Sequence, residues 1–223
     1  MSKSPANCFK CKKPANIKIN ILKYCNSCFV TLFESKIQKN IPKICSDKSI
    51  FVYLKDSPVS IIISELLYKN FHNRPIKKFE ILCENKNIKI DLGTNCNYKF
   101  KDLSLTEIKK YCLENGFDIL FYCQSLNDSI IDTLHFLCEG QPENALKNIN
   151  MAPCDNLSAY NLILDIKDKE IMYFLYLKGI KNSIKSQNLN KIDVILSDFL
   201  YEIDDKNELA FFNFQNTIKK LSE

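Results

Sequence analysis

Two Cys-x-x-Cys pairs constrain this chain more than any other feature: Cys8-Phe9-Lys10-Cys11 and Cys25-Asn26-Ser27-Cys28, with thirteen residues between them. A tight turn of this spacing presents two soft thiolates to one ion, and two such turns complete a tetrahedral set. Cys8, Cys11, Cys25 and Cys28 are therefore the expected ligands of a structural Zn2+ in a small ribbon. The intervening stretch IKINILKY, residues 17–24, suits two short strands that bring the turns together. So short a segment buries little apolar surface, so the metal would supply much of its folding free energy. Thiolate sites also accept iron, and the spacing alone does not choose between the two metals.

Charge is distributed unevenly. Residues 1–50 hold ten lysines against Glu34 and Asp47, a net of +8, while the remainder carries 21 bases against 24 acids, a net of −3. A basic segment beside a near-neutral body suits attraction to a phosphate backbone. The lysines expected to contact RNA are Lys10, Lys12, Lys13, Lys18, Lys23 and Lys36, with Phe9 or Tyr24 as stacking surfaces. No apolar run reaches the ~18 residues needed to cross a bilayer, and the start MSKSPANCFK lacks the apolar core of a signal peptide. A cytoplasmic location without membrane association is expected, and eleven cysteines there read as reduced thiols or metal ligands.

Beyond the ribbon, the residues after Cys28 place Phe29, Leu32, Phe33, Ile37 and Ile41 at helical spacing. A β-rich run over 49–55 follows, then a helix opened by Pro58, a strand over 77–83, and a helix over 104–115 with a Ser104-x-x-Glu107 capping box. Gly116 closes that helix before the strand DILFYC, and an apolar helical face runs from Leu126 to Cys138. The stretch NLILDI, residues 161–166, reads as a strand, followed by a helix over DKEIMYFLYLKG and helices near 190–203 and 206–221. This alternation predicts an α/β fold with a mainly parallel sheet. The expected division is ribbon and linker helix over 1–45, α/β domain over 46–183, and C-terminal helices over 184–223.

In open α/β sheets the loop after the first strand is the natural phosphate site, and cradling a polyphosphate there requires glycines and free backbone N–H groups. The loop here is Lys55-Asp56-Ser57-Pro58-Val59-Ser60, without glycine. Pro58 removes a donor and Asp56 adds a repelling carboxylate, so no ATP is expected to bind this chain.

Together the Cys-rich start, the strand IFVYLKDSPVS, the stretch ENGFDILFYCQSLNDSIIDTLHFLCEGQ, the segment LDIKDKEIMYFLYLKGI and the ending TIKKL resemble the cytoplasmic tRNA 2-thiolation proteins, subunit 2 above all. The resemblance implies a degenerate PP-loop ATPase domain, of the adenine nucleotide alpha hydrolase type, behind a zinc ribbon. The family's S-G-G-x-x-S signature falls on Lys55 to Ser60, where only Ser60 keeps its identity, so Lys55, Asp56, Ser57 and Ser60 form a degenerate nucleotide loop. The catalytic subunit's thiols have no counterpart at Phe100–Ser104 or Gly179–Asn190. No cysteine follows Cys154, where the family places a second cysteine-rich module. What the resemblance implies is a non-enzymatic subunit in wobble-uridine 2-thiolation. Its implied partners are a catalytic PP-loop thiolase, tRNA and, through the complex, a ubiquitin-related sulfur carrier.

Two other readings keep the same residues: an active PP-loop thiolase or ATP pyrophosphatase with an unusual loop, and a ribbon interaction protein that binds no RNA. His135 reads as a core or edge histidine and His72 as a loop residue. Cys45, Cys83, Cys96, Cys112, Cys123, Cys138 and Cys154 lack ligand spacing and act as small apolar side chains.

Overall fold

The central strand of the sheet is the run SIFVYL, and every one of its side chains is buried in the computed structural model. The structure describes residues 7–44, 47–55, 57–71, 74, 76–83, 97–100, 105–149, 156–180 and 191–221. The capping-box residue Ser104, loop residue Asp56, His72 and cysteines 45, 96 and 154 lie outside the described residues.

The chain forms two compact units, each drawn from separate segments: Ile37–Gln124 with Met151–Leu164, and Met1–Lys36 with Ser125–Asn150 and Asp165–Glu223. The first holds a five-stranded sheet of β3 (Ser49–Leu54), β4 (Lys78–Cys83), β5 (Asn97–Phe100), β6 (Ile119–Tyr122) and β7 (Ser158–Asn161), in the order β5-β4-β3-β6-β7. All four pairings are parallel. Strand order reverses between β3 and β6, the kind of switch point at which open α/β sheets bind ligands.

Alternation along the strands builds a layer on each face. Phe51 and Tyr53 of β3 join Leu82, Leu120 and Tyr122 beneath Ile108 and Cys112 of α3 (Leu105–Glu114). On the opposite face, Phe121 of β6 stacks at 6.0 Å on Phe71, the last residue of α2 (Pro58–Phe71). Gly116, at φ +67°, lets the chain leave α3 in a left-handed step, with the Phe117 N–H donating to the Cys112 carbonyl at 2.9 Å. Asp118 then ties the starts of β3 and β6 together by accepting from the Ser49 N–H at 2.8 Å and from Lys48 at 3.1 Å. The Ser49 hydrogen bond, with Lys48 assisting, holds its carboxyl below the usual range.

The strand expected over 161–166 is displaced. Only Asn161 belongs to β7, and the residues that follow form a turn in which Leu162, Ile163 and Ile166 are buried. Their apolar character reflects a turn packed into the core, which the sequence pattern cannot distinguish from a short buried strand. Helix α5 (Pro142–Ile149) and strand β5 were not anticipated.

The second unit contains the Cys-rich ribbon, α1 (Asn26–Asn40) up to Lys36, α4 (Leu126–Cys138), α5, α6 (Asp168–Leu177), α7 (Lys191–Lys206) and α8 (Ala210–Leu221). Phe33 of α1 stacks on Phe174 of α6 at 4.1 Å, with Phe29 against the same ring at 6.5 Å. Leu126 and Ile130 of α4 meet Leu200 of α7 and Phe211 of α8 in a further apolar cluster. Among the described residues no helix is long and apolar enough to cross a membrane.

His135 joins α4 to α7 through Asp193 at 2.8 Å and also meets Glu139 at 3.0 Å. Two carboxylates facing both ring nitrogens favour the doubly donating imidazolium. The Asp193 hydrogen bond, against a smaller burial penalty and helped by Glu139, raises its pKa. A folded-state pKa above the unfolded value means the stabilisation is complete below about pH 6.5 and is lost as pH rises through the folded value. Urea midpoints of wild type and His135→Gln are therefore expected to differ at pH 5.5 and to converge at alkaline pH.

Candidate metal centre and nucleic-acid interface

The ribbon is built around β1 (Ile17–Ile19) and β2 (Leu22–Tyr24), antiparallel with Ile17 opposite Tyr24. Asn20, at φ +52°, makes the two-residue turn between them. The first knuckle folds back through Cys8 N–H to Lys13 O at 2.7 Å and Lys12 N–H to Cys8 O at 3.0 Å, and Phe9 N–H to Lys23 O at 2.8 Å lays it on β2. The second knuckle runs straight into the first turn of α1.

These constraints bring the sulfurs of Cys8, Cys11, Cys25 and Cys28 within 4.8 Å of one another, with Cys11 and Cys25 Sγ 3.4 Å apart. Four sulfurs about 2.3 Å from one tetrahedral ion stand roughly 3.8 Å apart, so the donor set fits a single ion. Burial opposes ionisation of Cys8, but backbone N–H bonds from Cys11, Cys25 and Lys10 outweigh it and lower its pKa. The Ser27 hydroxyl and then the Cys28 N–H lower Cys25 to about 6, while Cys28, whose thiol is held in hydrogen bonds to Cys11 and Cys25, is pushed up to about 12. Hydrogen bonding to its neighbours and then burial keep the Cys28 thiol protonated, and a bound cation would favour its thiolate.

Lys10, Lys12, Lys13 and Lys23 are exposed on this ribbon. Lys18 is exposed but pairs with Glu208 at 2.9 Å. Lys36 is half-buried and pairs at 2.6 Å with Glu170, whose side chain is only 4% exposed. Phe9 is exposed, whereas Tyr24 is buried at the foot of β2 and presents no stacking face.

The loop after β3 is closed on itself. Ser60 is fully buried and its hydroxyl donates to the Lys55 carbonyl at 2.7 Å. Ser57 caps α2, its carbonyl accepting from the Ser60 N–H at 2.9 Å. Asn161, which sequence reading missed, locks the neighbouring strand ends. Its side chain accepts from the Gln124 N–H at 3.1 Å and donates to the Gln124 carbonyl at 2.8 Å. Cys123 at the end of β6 is buried, and desolvation pushes its thiol well up, so it is no ready nucleophile.

Asp168 at the start of α6 was also missed. Its backbone N–H donates to Asn127 Oδ1 at 3.1 Å, and burial, then Asp128, raise its carboxyl to about 6. A carboxyl titrating there can hold or release a proton near neutral pH. Nothing in its spacing marked it, because Asn127 and Asp128, which act on it, stand some 40 residues earlier in the chain.

No family model matches the chain, and no curated protein sequence does. Among solved structures, the U34-tRNA thiolase NcsA from Methanococcus maripaludis with its [4Fe-4S] cluster superposes with a TM-score of 0.73 and 15% identity, covering 97% of this chain and 88% of that one. The chain shares the α/β fold of that U34-tRNA thiolase. The expectation that it is not an enzyme is corrected by this match. The solved protein sharing its fold across nearly the whole length is itself an enzyme. A loop without glycine inside that fold gives no ground for a non-enzymatic reading.

Proposed function

We propose that this chain acts in the 2-thiolation of the wobble uridine of cytoplasmic tRNA, holding the tRNA backbone with its basic ribbon. The observation that carries the reading is the thiolase fold matched over 97% of the chain. The exposed Lys10, Lys12, Lys13 and Lys23 on the ribbon support it. A second PP-loop chain with an intact glycine-rich loop is the proposed protein partner, as the resemblance of the sequence implies. A ubiquitin-related sulfur carrier would reach the complex through that partner.

The metal proposed for the four thiolates is zinc. A four-iron cluster binds its thiolates to four different irons and so spreads them wider than one ion does, whereas these sulfurs lie within 4.8 Å.

The test is to measure wobble 2-thiouridine by mass spectrometry of tRNA from cells with and without the chain, and after restoring it. Loss and recovery of the thiolated nucleoside is the expected result; undiminished thiolation without the chain overturns the reading. For the ribbon, replacing Lys10, Lys13 or Lys23 with alanine is expected to flatten the slope of log K against log salt for tRNA by about one unit each. Lys36→Ala should leave that slope unchanged because its charge is already matched by Glu170.

A further inference from the structure

We propose that the outer face of α6 is a stacking platform for an unpaired base of the bound RNA, formed by Tyr173 and Tyr176 with Met172 beside them. The inference rests on the proposed tRNA role and names a contact surface within it. Helix α6 buries Glu170, Ile171, Phe174 and Leu175, leaving Lys169, Met172, Tyr173 and Tyr176 at i, i+3, i+4 and i+7 along the opposite face. A surface helix carries polar residues there. This one presents a thioether and two phenol rings, with Tyr176 75% exposed.

The two rings lie 6.1 Å apart at an interplanar angle of 30°, Tyr176 exposed and Tyr173 half-buried. Tyr173 is held rigidly: its hydroxyl donates to Asn26 Oδ1 at 2.9 Å, and its ring meets the Phe29 ring edge-on at 5.2 Å. Because Asn26 accepts through its oxygen, its amide N–H2 remains a donor toward solvent, where Asn26 is exposed. Asn26 directly follows the metal-ligand candidate Cys25 and lies three residues from Lys23 in the chain, so the Tyr173 hydroxyl is bonded to the second knuckle of the ribbon.

Aromatic faces, an amide donor and the cation of Lys169 are what a nucleotide uses, the base on the rings and the phosphate on the donors.

The experiment is equilibrium binding of the full chain to unmodified tRNA over a salt series, comparing wild type, Tyr176→Ala, Tyr176→Phe and Lys23→Ala. Tyr176→Ala is expected to weaken binding about tenfold, with the salt slope unchanged because stacking releases no counterions. Tyr176→Phe keeps the ring and should bind within about twofold of wild type. An unchanged melting temperature for Tyr176→Ala shows that the exposed ring supports no fold. If Tyr176→Ala binds like wild type while Lys23→Ala is weakened, the platform is overturned and ribbon binding stands. If Tyr176→Ala keeps tRNA affinity but loses a co-purifying protein, the face belongs to that protein and the inference falls. If wild type itself has no salt-sensitive tRNA affinity, the proposed function falls first.

Discussion

Replacing Cys25 with serine is expected to empty the ribbon of metal and abolish its fold, the largest effect of any single change in this chain. Cys8 and Cys25 are the two buried members of the four-sulfur set, and every sulfur lies within 4.8 Å of the others. The ribbon's other buried side chains, Ile17, Ile19 and Tyr24, are too few to offset the entropy of ordering the segment. Structural zinc sites contribute on the order of 10 kcal/mol to such modules, so loss of one ligand removes the main term. Metal content should fall from about one ion per chain toward none, and amide protection should vanish across the ribbon. Helix α1 should survive from Phe29 onward, because Phe29 and Phe33 are packed on Phe174. A Cys25→Ser chain that keeps a full complement of metal and a protected ribbon refutes the four-thiolate assignment. Absorption of the purified wild type separates the metals: a zinc site is colourless, and an iron site is not.

Lys36→Ala is expected to destabilise the protein by about 3 kcal/mol, far more than removal of an exposed lysine. Glu170 is almost wholly buried, and Lys36 at 2.6 Å is its ion-pair partner. Its other oxygen, Oε1, has no hydrogen-bond partner among the described residues. Truncating Lys36 strands a buried carboxylate, and that residual charge accounts for most of the cost. The double variant Lys36→Met with Glu170→Gln should recover much of the loss, since both charges then leave together. Urea denaturation of the three chains checks this; equal stability of Lys36→Ala and wild type would make the pair a surface contact after all. The same variants separate a structural lysine from one that touches RNA.

Much of the fold was legible because it rests on local chemistry. The Cys-x-x-Cys spacing located the ribbon, and Pro58 and Gly116 marked the start of one helix and the end of another where the structure has them. The alternation of strands and helices identified an α/β layer fold, and the run SIFVYL identified its buried centre. The assignment of Leu162, Ile163 and Ile166 to a strand failed because apolar periodicity reports burial and not backbone shape. For the same reason the lysines divided unexpectedly. In sequence Lys36 and Lys23 are equivalent, yet Lys36 meets a buried carboxylate 134 residues away.

By itself the sequence determined which residues could gather around an ion, where helices start and stop, and which strands are buried on both faces. Those properties depend on side chains a few residues apart. Tertiary structure alone decided that Asn161 bolts the end of β6, that the carboxyl of half-buried Asp168 is raised to about 6 by desolvation, and that Tyr173 is anchored on Asn26. Each depends on segments tens to more than a hundred residues apart, and on the burial and hydrogen bonds made when they meet. Spacing along the chain carries no record of that meeting.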